Sequence, residues 1–304
     1  MLDQEKAAVP EWASGMDQGR YAEFMSAVDG HFKRRGEPYT IEDGAVVLGN
    51  WKFGLINIAQ ICSLRNPEEY PGILEQHFGA MIGNEAFEAG LEPDDFEKIK
   101  QYIGVRLYGE DYIADFGEDI MIRRPFAKGV FAVLIFDFPQ TIKNISRSEA
   151  DKWNTSDDEL FNIGIENIRR SYELKAQRVT IGNDAVFAAE TEHFFAANIL
   201  FDIERHKEFI GKGGAVVGIP TRCLAVIYPI NDVKVASVLM ALFNIVPRFY
   251  AGGPGSLTRQ IFWYRDGLYE PLDYKIGKEV NFTPSDAFLS MLEELEQSGQ
   301  TRGR

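Results

Sequence analysis

Groups that can donate hydrogen bonds to an anion concentrate around the glycine-rich segment AGGPGSLT, residues 251–258. Ser256 and Thr258 supply hydroxyls, Arg259 follows directly, and Arg222 lies upstream between two strand-like segments. Glycine lets a backbone approach a ligand closely, and a guanidinium is a permanently charged planar fork. The pattern predicts a site for a small anion, and its candidate ligand-binding residues are Arg222, Gly252, Gly253, Ser256, Thr258 and Arg259.

The same segment has a simpler, structural interpretation. A phosphate-binding P-loop has the pattern GxxxxGK[ST] and leads from a strand into a helix. Here the segment is predicted to leave a helix and enter a strand, and no lysine follows it. Gly252, Gly253 and Gly255 are then expected to adopt positive φ and to turn the chain tightly.

Arg222 and Cys223 adjoin at the junction of two predicted strands. A neighbouring guanidinium favours the thiolate of a cysteine, but a nucleophilic cysteine also needs a base, and no histidine lies nearby in the sequence. Cys223 is therefore more simply a small core residue. In a structural interpretation, Arg222 would pair with a carboxylate such as Asp232 or Glu270.

Metal-ligand spacing occurs once, at Glu190 and His193, whose i, i+3 separation would place both on one side of a helix. Such sites need a second pair and further carboxylates, and the chain has only four histidines. The two cysteines, Cys62 and Cys223, lie far apart among apolar neighbours, which argues against a zinc site or a disulfide. We therefore predict no metal site and no cofactor.

A resemblance to a known family is carried by residues 249–272, FYAGGPGSLTRQIFWYRDGLYEPL. This segment resembles the C-terminal signature of the YtpQ-like family of uncharacterised bacterial proteins, and weaker similarity extends upstream through residues 194–200 and 218–230. The resemblance implies an architecture for the C-terminal half but no established reaction. It also implies acidic residues in the relatives where this chain has Cys223 and Phe195, so a site built from those acids would be altered here. The matching residues are Phe249, Ala251, Gly252, Gly253, Leu257, Thr258, Phe262, Tyr264, Gly267, Glu270 and Pro271.

The 304 residues carry a net charge of −14, from 32 basic and 46 acidic side chains. This charge favours a soluble protein and repels nucleic-acid backbones. The N-terminus has no signal-peptide pattern, and the longest apolar run, residues 235–246, is too short to span a bilayer. We expect a cytoplasmic protein that binds a protein partner or a small anionic ligand, and neither nucleic acid nor a membrane.

Hydrophobic periodicity predicts an α+β fold, in which two lobes of hairpin-built antiparallel or mixed sheet are covered by amphipathic helices. The predicted divisions are an N-terminal α+β lobe at 1–90, a connecting region with a central strand at 91–150, and a C-terminal YtpQ-like α+β lobe at 151–304. The almost continuous apolar run Val130–Phe138 is the best candidate for the central strand, with Asp137 as its polar exception.

A helix–hairpin–helix order recurs at residues 20–80 and 192–247, which indicates either an internal duplication or chance recurrence. The first hairpin is predicted to turn at Asp43–Gly44. The second copy is predicted to open with a helix over residues 192–209 and to close with an apolar helix that ends near Val246.

Two functions from different classes fit these features. The preferred hypothesis is a non-catalytic binding or adaptor module, because the chain is acidic, rich in aromatic residues and without a recognisable catalytic set. Its element order is also similar to small acidic chaperone-like folds, which is an analogy of topology alone. The alternative is a hydrolase or another anion-dependent enzyme that uses Arg222 and the loop 252–258 with an acid such as Asp137 or Asp202.

Overall fold

The computed structural model describes residues 9–36, 38–42, 44–48, 51–114, 120–139, 141–191, 193–277 and 280–302. Asp43, expected in a hairpin turn, and Glu192, expected at a helix start, lie outside these ranges. Helices occur together with several sheets whose described strand pairs are all antiparallel, which confirms the predicted α+β class.

The chain divides into two compact units. Unit 1 comprises residues 1–91 with the short returns 139–141 and 252–254, and unit 2 comprises the rest. The predicted connecting region, residues 91–150, therefore falls almost entirely within unit 2 and contributes a sheet to it.

Unit 1 packs three helices against a three-stranded sheet of order β1-β2-β3. Helix α1 begins after Asp17, whose side chain accepts a hydrogen bond from the Arg20 N–H, and ends at Gly36 in the left-handed conformation. The third strand, β3, was not expected from the sequence, and it extends the predicted hairpin by pairing with β2. The elements are α1 Gln18–Arg35, β1 Tyr39–Glu42, β2 Ala45–Leu48, β3 Trp51–Gly54, α2 Ile56–Ser63 and α3 Tyr70–Ala89.

The first sheet of unit 2 has four strands in the order β4-β6-β5, with β7 also paired to β6. The predicted central strand is confirmed, because β6 pairs with all three of the others. Helix α7 packs on β4 at Gly164, where an added Cβ would lie 2.8 Å from the Gly104 backbone. The elements are α4 Phe96–Ile99, β4 Ile103–Gly109, α5 Glu110–Ala114, β5 Arg123–Ala127, β6 Val130–Asp137, β7 Ile142–Asn144, α6 Arg147–Ala150 and α7 Asp157–Ser171.

The second sheet of unit 2 has six strands in the order β13-β12-β10-β11-β9-β8. Helix α8 covers it and buries Val238, Leu242 and Val246 in an apolar cluster with residues of this sheet. Among the described residues, α8 is also the one helix long and apolar enough to cross a membrane by length and composition. The elements are β8 Gln177–Ile181, β9 Asp184–Glu190, β10 Ala215–Thr221, β11 Leu224–Pro229, α8 Val235–Gly252, β12 Ile261–Arg265, β13 Leu268–Leu272, β14 Tyr274–Ile276, β15 Val280–Phe282 and α9 Asp286–Arg302.

Two predicted helices differ from the structure. The segment expected to be an α-helix over residues 192–209 forms 3₁₀ turns at Ala196–Arg205 and Lys207–Phe209. Its residues 196–200 are all buried, and the Ala197 N–H and the Asn198 side chain donate to the carbonyls of Arg222 and Val105, so tertiary contacts override the local preference. Helix α8 runs on through Pro247 to Gly252 instead of ending near Val246. The proposed duplication is therefore not matched element by element, because the first copy has a true α-helix and a third strand.

The glycines of the 251–258 loop do not share one role. Gly252 is the last residue of α8, and the positive φ of this loop belongs to Gly255, at 71°. The expectation that Gly252 and Gly253 adopt positive φ is wrong, because the helix continues to Gly252 and the turn comes later. An added Cβ on Gly252 would meet no described atom within 4 Å, whereas one on Gly255 would lie 2.5 Å from the Arg222 Nε.

We predict that Gly255→Ala lowers the free energy of unfolding by about 1–3 kcal/mol, because alanine is strained at this φ and its methyl displaces the Arg222 side chain. Gly252→Ala is the matched control and is expected to change the free energy of unfolding by less than about 0.5 kcal/mol. Chemical denaturation monitored by tryptophan fluorescence measures both. Equal effects of the two substitutions would contradict the assignment of the turn to Gly255.

Candidate anion-binding site

Strand β4 carries the first residue of the site. All seven residues of Ile103–Gly109 are buried, yet the segment contains an arginine. Because successive side chains of a strand alternate between faces, Arg106 and Tyr108 lie on the same face. Their cross-strand neighbours on β6 are Val133 and Phe131, so the guanidinium emerges among apolar side chains.

The hairpin turn between β10 and β11 carries the second residue, Arg222. The turn consists of Arg222 and Cys223, between the paired residues Thr221 and Leu224. Its backbone is held from three sides by other segments of unit 2. The Arg222 N–H donates to the Gly255 carbonyl at 2.9 Å, and the Arg222 carbonyl accepts from the Ala197 N–H at 3.2 Å. The Cys223 carbonyl accepts from the Thr191 N–H, also at 3.2 Å.

The two guanidinium groups share one aromatic enclosure. The Tyr108 ring centroid lies 5.5 Å from the Arg106 Cζ and 4.9 Å from the Arg222 Cζ. The Phe194 centroid lies 5.0 Å and 5.6 Å from the same two atoms. Phe195 adds a third ring, 5.8 Å from the Arg106 Cζ. We call Arg106 and Arg222 the arginine pair.

The arginine pair is buried without an acceptor. Arg106 is 8% exposed and Arg222 is 6% exposed. The Nε atoms of both are inaccessible to solvent and donate to no atom of the described residues. Within the described part of the chain, no carboxylate lies within ion-pair distance of either guanidinium. Burial, followed by the charge of Arg106, lowers the pKa of Arg222 to about 10. Arg222 therefore remains charged at neutral pH.

A half-buried carboxyl group, Asp137, lies near the arginine pair at the end of β6. The Tyr172 hydroxyl donates to Asp137 Oδ1 at 3.1 Å. Burial raises the pKa of Asp137, and the Tyr172 hydrogen bond and the Arg106 charge oppose the shift. The Tyr172 ring packs against His193 and Phe195, at centroid distances of 4.8 Å and 4.5 Å. Asp137 is thus bound to a tyrosine and acts on Arg106 through its field rather than through an ion pair.

The predicted site residues separate into two groups. Arg222 is brought against the loop at Gly255, as described above. The two hydroxyls of the loop form hydrogen bonds within the fold: Ser256 Oγ donates to the Tyr250 carbonyl at 2.6 Å, and Thr258 Oγ1 accepts from the Gln260 N–H at 3.0 Å. The Arg259 guanidinium stacks on the Tyr250 ring at 4.6 Å. These contacts give Ser256, Thr258 and Arg259 a role in shaping the loop.

The structural alternatives for Arg222 have other arrangements. Asp232 Oδ1 accepts the Lys234 N–H at 2.9 Å near the start of α8, and Glu270 is paired across β12–β13 with Trp263. Neither forms an ion pair with Arg222 in the described structure. The expectation that Arg222 would pair with one of these carboxylates is therefore wrong.

The predicted metal-ligand spacing does not lie on a helix. Glu190 ends β9, and His193 follows in a turn where its Nδ1 lies 3.2 Å from Thr191 Oγ1. Among the described residues there is no group of three histidine, cysteine, aspartate or glutamate side chains placed to hold a metal ion. Asp202, proposed as a catalytic acid, is bound by the Arg169 guanidinium, at 2.8 Å from Nε and 2.6 Å from Nη2. Asp202 thus has a structural partner.

Arg106 was not among the predicted site residues, although the sequence around it indicates a buried charge. An arginine inside the apolar strand IGVRLYG cannot reach water easily, so it needs a buried partner. The convergence of this strand with the Arg222 turn, by contrast, has no local signal. Residues 106 and 222 are brought together by the packing of the two sheets of unit 2.

We predict that both cysteines resist thiolate alkylation in the folded protein. Burial raises the pKa of Cys62 to about 12, and burial also raises the pKa of Cys223 although both arginines oppose that shift. The reaction with iodoacetamide near neutral pH should therefore be at least about tenfold slower than in the urea-denatured chain, because the thiolate is the nucleophile. Mass spectrometry of timed samples measures it. Rapid modification of Cys223 alone would identify it as an activated thiol.

Comparisons of the chain with protein-family models, with curated proteins and with solved structures found no match.

Proposed function

We propose that this protein is a non-catalytic binding protein and that its ligand is a small anion held by the arginine pair. The observation that carries the proposal is the burial of two guanidinium groups to 8% and 6% exposure without a carboxylate partner among the described residues. Buried arginines elsewhere in proteins are normally paired with acceptors. An anionic ligand would supply the missing acceptors.

The aromatic rings do not replace such an acceptor. Cations gain about 0.5–2 kcal/mol from a ring face, which offsets part of the cost of removing the charge from water. A ring face, however, offers little to an in-plane N–H, and the Nε–H groups of Arg106 and Arg222 remain without an oxygen partner. The rings therefore hold the guanidinium planes in place and leave their donors available.

The turn of Arg222 supports a site that exists before the ligand arrives. Its backbone is hydrogen-bonded to the segments at Thr191, Ala197 and Gly255, and its side chain lies against the Gly255 Cα. A side chain fixed in this way loses little conformational entropy on binding. Rigidity of this kind favours binding of a small anion.

An anion-dependent enzyme is the second candidate, and the Asp137–Tyr172 hydrogen bond beside Arg106 favours it. A raised pKa brings a carboxyl group closer to the pH range in which general acids and bases act. Cys223 does not strengthen this candidate, because burial raises its pKa. Turnover of a chromogenic ester that Asp137→Asn abolishes would favour the enzyme, while binding without turnover favours the binding protein.

We predict that Arg222→Met raises the free energy of unfolding by about 1–4 kcal/mol in buffer without added oxyanion, because methionine removes an uncompensated buried charge and keeps an apolar stem. Arg259→Met is the matched control. The exposed Arg259 guanidinium also stacks on a ring, and this substitution should change the free energy of unfolding by no more than about 0.5 kcal/mol. A clear loss of stability in Arg222→Met would show that the arginine serves the fold instead.

Binding itself is tested by titrating the wild-type protein with inorganic phosphate and with acetate in a calorimeter. At least one of the two should bind at one site per chain and raise the melting temperature, since a ligand of the native state stabilises it. Arg222→Met should abolish this binding and Arg259→Met should retain it. If neither anion binds wild-type protein, the proposed function is wrong.

A further inference from the structure

We infer that the anionic group recognised by the arginine pair is the phosphoryl group of a phosphate monoester, an inference that rests on the proposed function. Two observations lead to it. The first is the number of unsatisfied donor forks, and the second is the concentration of positive charge in one enclosure.

The donor count favours more than two acceptor oxygens. Each guanidinium can present its Nε–H and one Nη–H as a fork that binds two oxygens side by side. Both Nε atoms, of Arg106 and of Arg222, are solvent-inaccessible and without a partner among the described residues, so each fork contains at least one donor that needs an acceptor. A carboxylate has two oxygens and fills one fork, whereas a phosphoryl group has three terminal oxygens and can engage both.

The two guanidinium groups border the same two rings. The Cζ atoms of Arg106 and Arg222 both lie within 5.6 Å of the centroids of Tyr108 and Phe194. The charge of Arg106 also acts on Arg222 and lowers its pKa. The inference is that one ligand group bound beside these rings contacts both guanidinium groups.

The charges around the arginine pair also favour a phosphoryl group. The titratable side chains around the arginine pair are Tyr108, Tyr112, Asp137, Tyr172, His193 and Cys223, and Glu190 lies near Cys223. The two carboxyl groups are Asp137, whose Oδ1 accepts from the Tyr172 hydroxyl, and the exposed Glu190. Arg222 experiences the repulsion of Arg106, and no carboxylate among the described residues forms an ion pair with it. A phosphate monoester, which carries a charge between about −1.5 and −2 at neutral pH, compensates two guanidinium groups better than a monoanion does.

The test compares four probes at constant ionic strength and at a pH near 8: inorganic phosphate, sulfate, malonate and acetate. Calorimetry on the wild-type protein should show phosphate and sulfate binding at least about tenfold more tightly than acetate, because the two oxygens of acetate fill only one fork. Malonate, which carries two carboxylates on a short linker, should bind more weakly than phosphate.

Two variants separate fork geometry from charge. Arg106→Lys and Arg222→Lys keep the positive charge but lose the planar fork. Each should reduce phosphate affinity by at least about tenfold and leave acetate affinity within about threefold, so that the preference for phosphate disappears. Arg259→Lys is the control and should bind all four probes as the wild type does. Circular dichroism and melting temperature show whether each variant is folded.

Each outcome decides between the inference and the proposed function. Tighter binding of malonate than of phosphate would replace the phosphoryl ligand with a dicarboxylate. Equal binding of acetate and phosphate, lost in Arg222→Met, would overturn the phosphoryl inference while the anion-binding function stands. An absence of binding by all four probes would overturn both. Lysine variants that retain the phosphate preference would show that charge alone produces it.

Discussion

The hairpin turn at Arg222 and Cys223 is the constraint on which the site depends. A two-residue turn leaves the carbonyls and N–H groups of its residues outside the strand ladder, and here other segments of unit 2 satisfy them. Gly255 accepts from Arg222, and Ala197 and Thr191 donate to the two turn carbonyls. These bonds bring together three segments that are distant in the sequence. The same contacts place the Arg222 side chain beside Arg106 and the aromatic rings.

Burying two like charges in one enclosure opposes folding, and the surrounding packing must offset it. Unit 2 contains an extensive apolar cluster, formed by α8 and the six-stranded sheet, with Val216, Leu242 and Phe243 fully buried. Each large apolar side chain buried in this way stabilises the fold by about 1.5–3 kcal/mol. A core of this size can tolerate a local destabilisation. Function commonly resides at such places, because an unsatisfied group in the free protein is one that a ligand can satisfy.

Unit 1 offers a contrasting surface. A shallow groove of about 650 Å³ runs between α1 and the start of α3, with Arg34 and Glu68 among its lining residues. Its charged side chains are open to water, so they are already solvated and need no ligand. The buried histidine of this unit, His31, lies 3.2 Å from the exposed carboxylate of Glu75, and burial lowers its pKa. The volume of a cavity is therefore a poorer indicator of a site here than the burial of an unpaired charge.

The sequence by itself determined the elements whose signals are local. An apolar run identified β6 as the central strand, and the element order over residues 20–80 identified α1 and the β1–β2 hairpin. The turn between β12 and β13 also follows local residue types, because Asp266 and Gly267 have positive φ there. The sequence also identified Arg222 as a residue that needs a partner, because arginine between two strands must reach water or an anion.

Only the tertiary structure showed which carboxylates do not pair with Arg222. Local sequence could not show that Asp232 and Glu270 have other arrangements, or that the loop's hydroxyls stabilise the loop itself. Packing also turned the predicted helix over residues 192–209 into 3₁₀ turns bonded to the sheets, which brings Phe194 over both guanidinium groups. The physical reason is that periodicity reports which face of a segment is apolar, whereas the meeting of Arg106 with Arg222 depends on how two sheets pack. That arrangement is fixed by contacts between residues more than a hundred positions apart. The sequence around either arginine does not indicate these contacts.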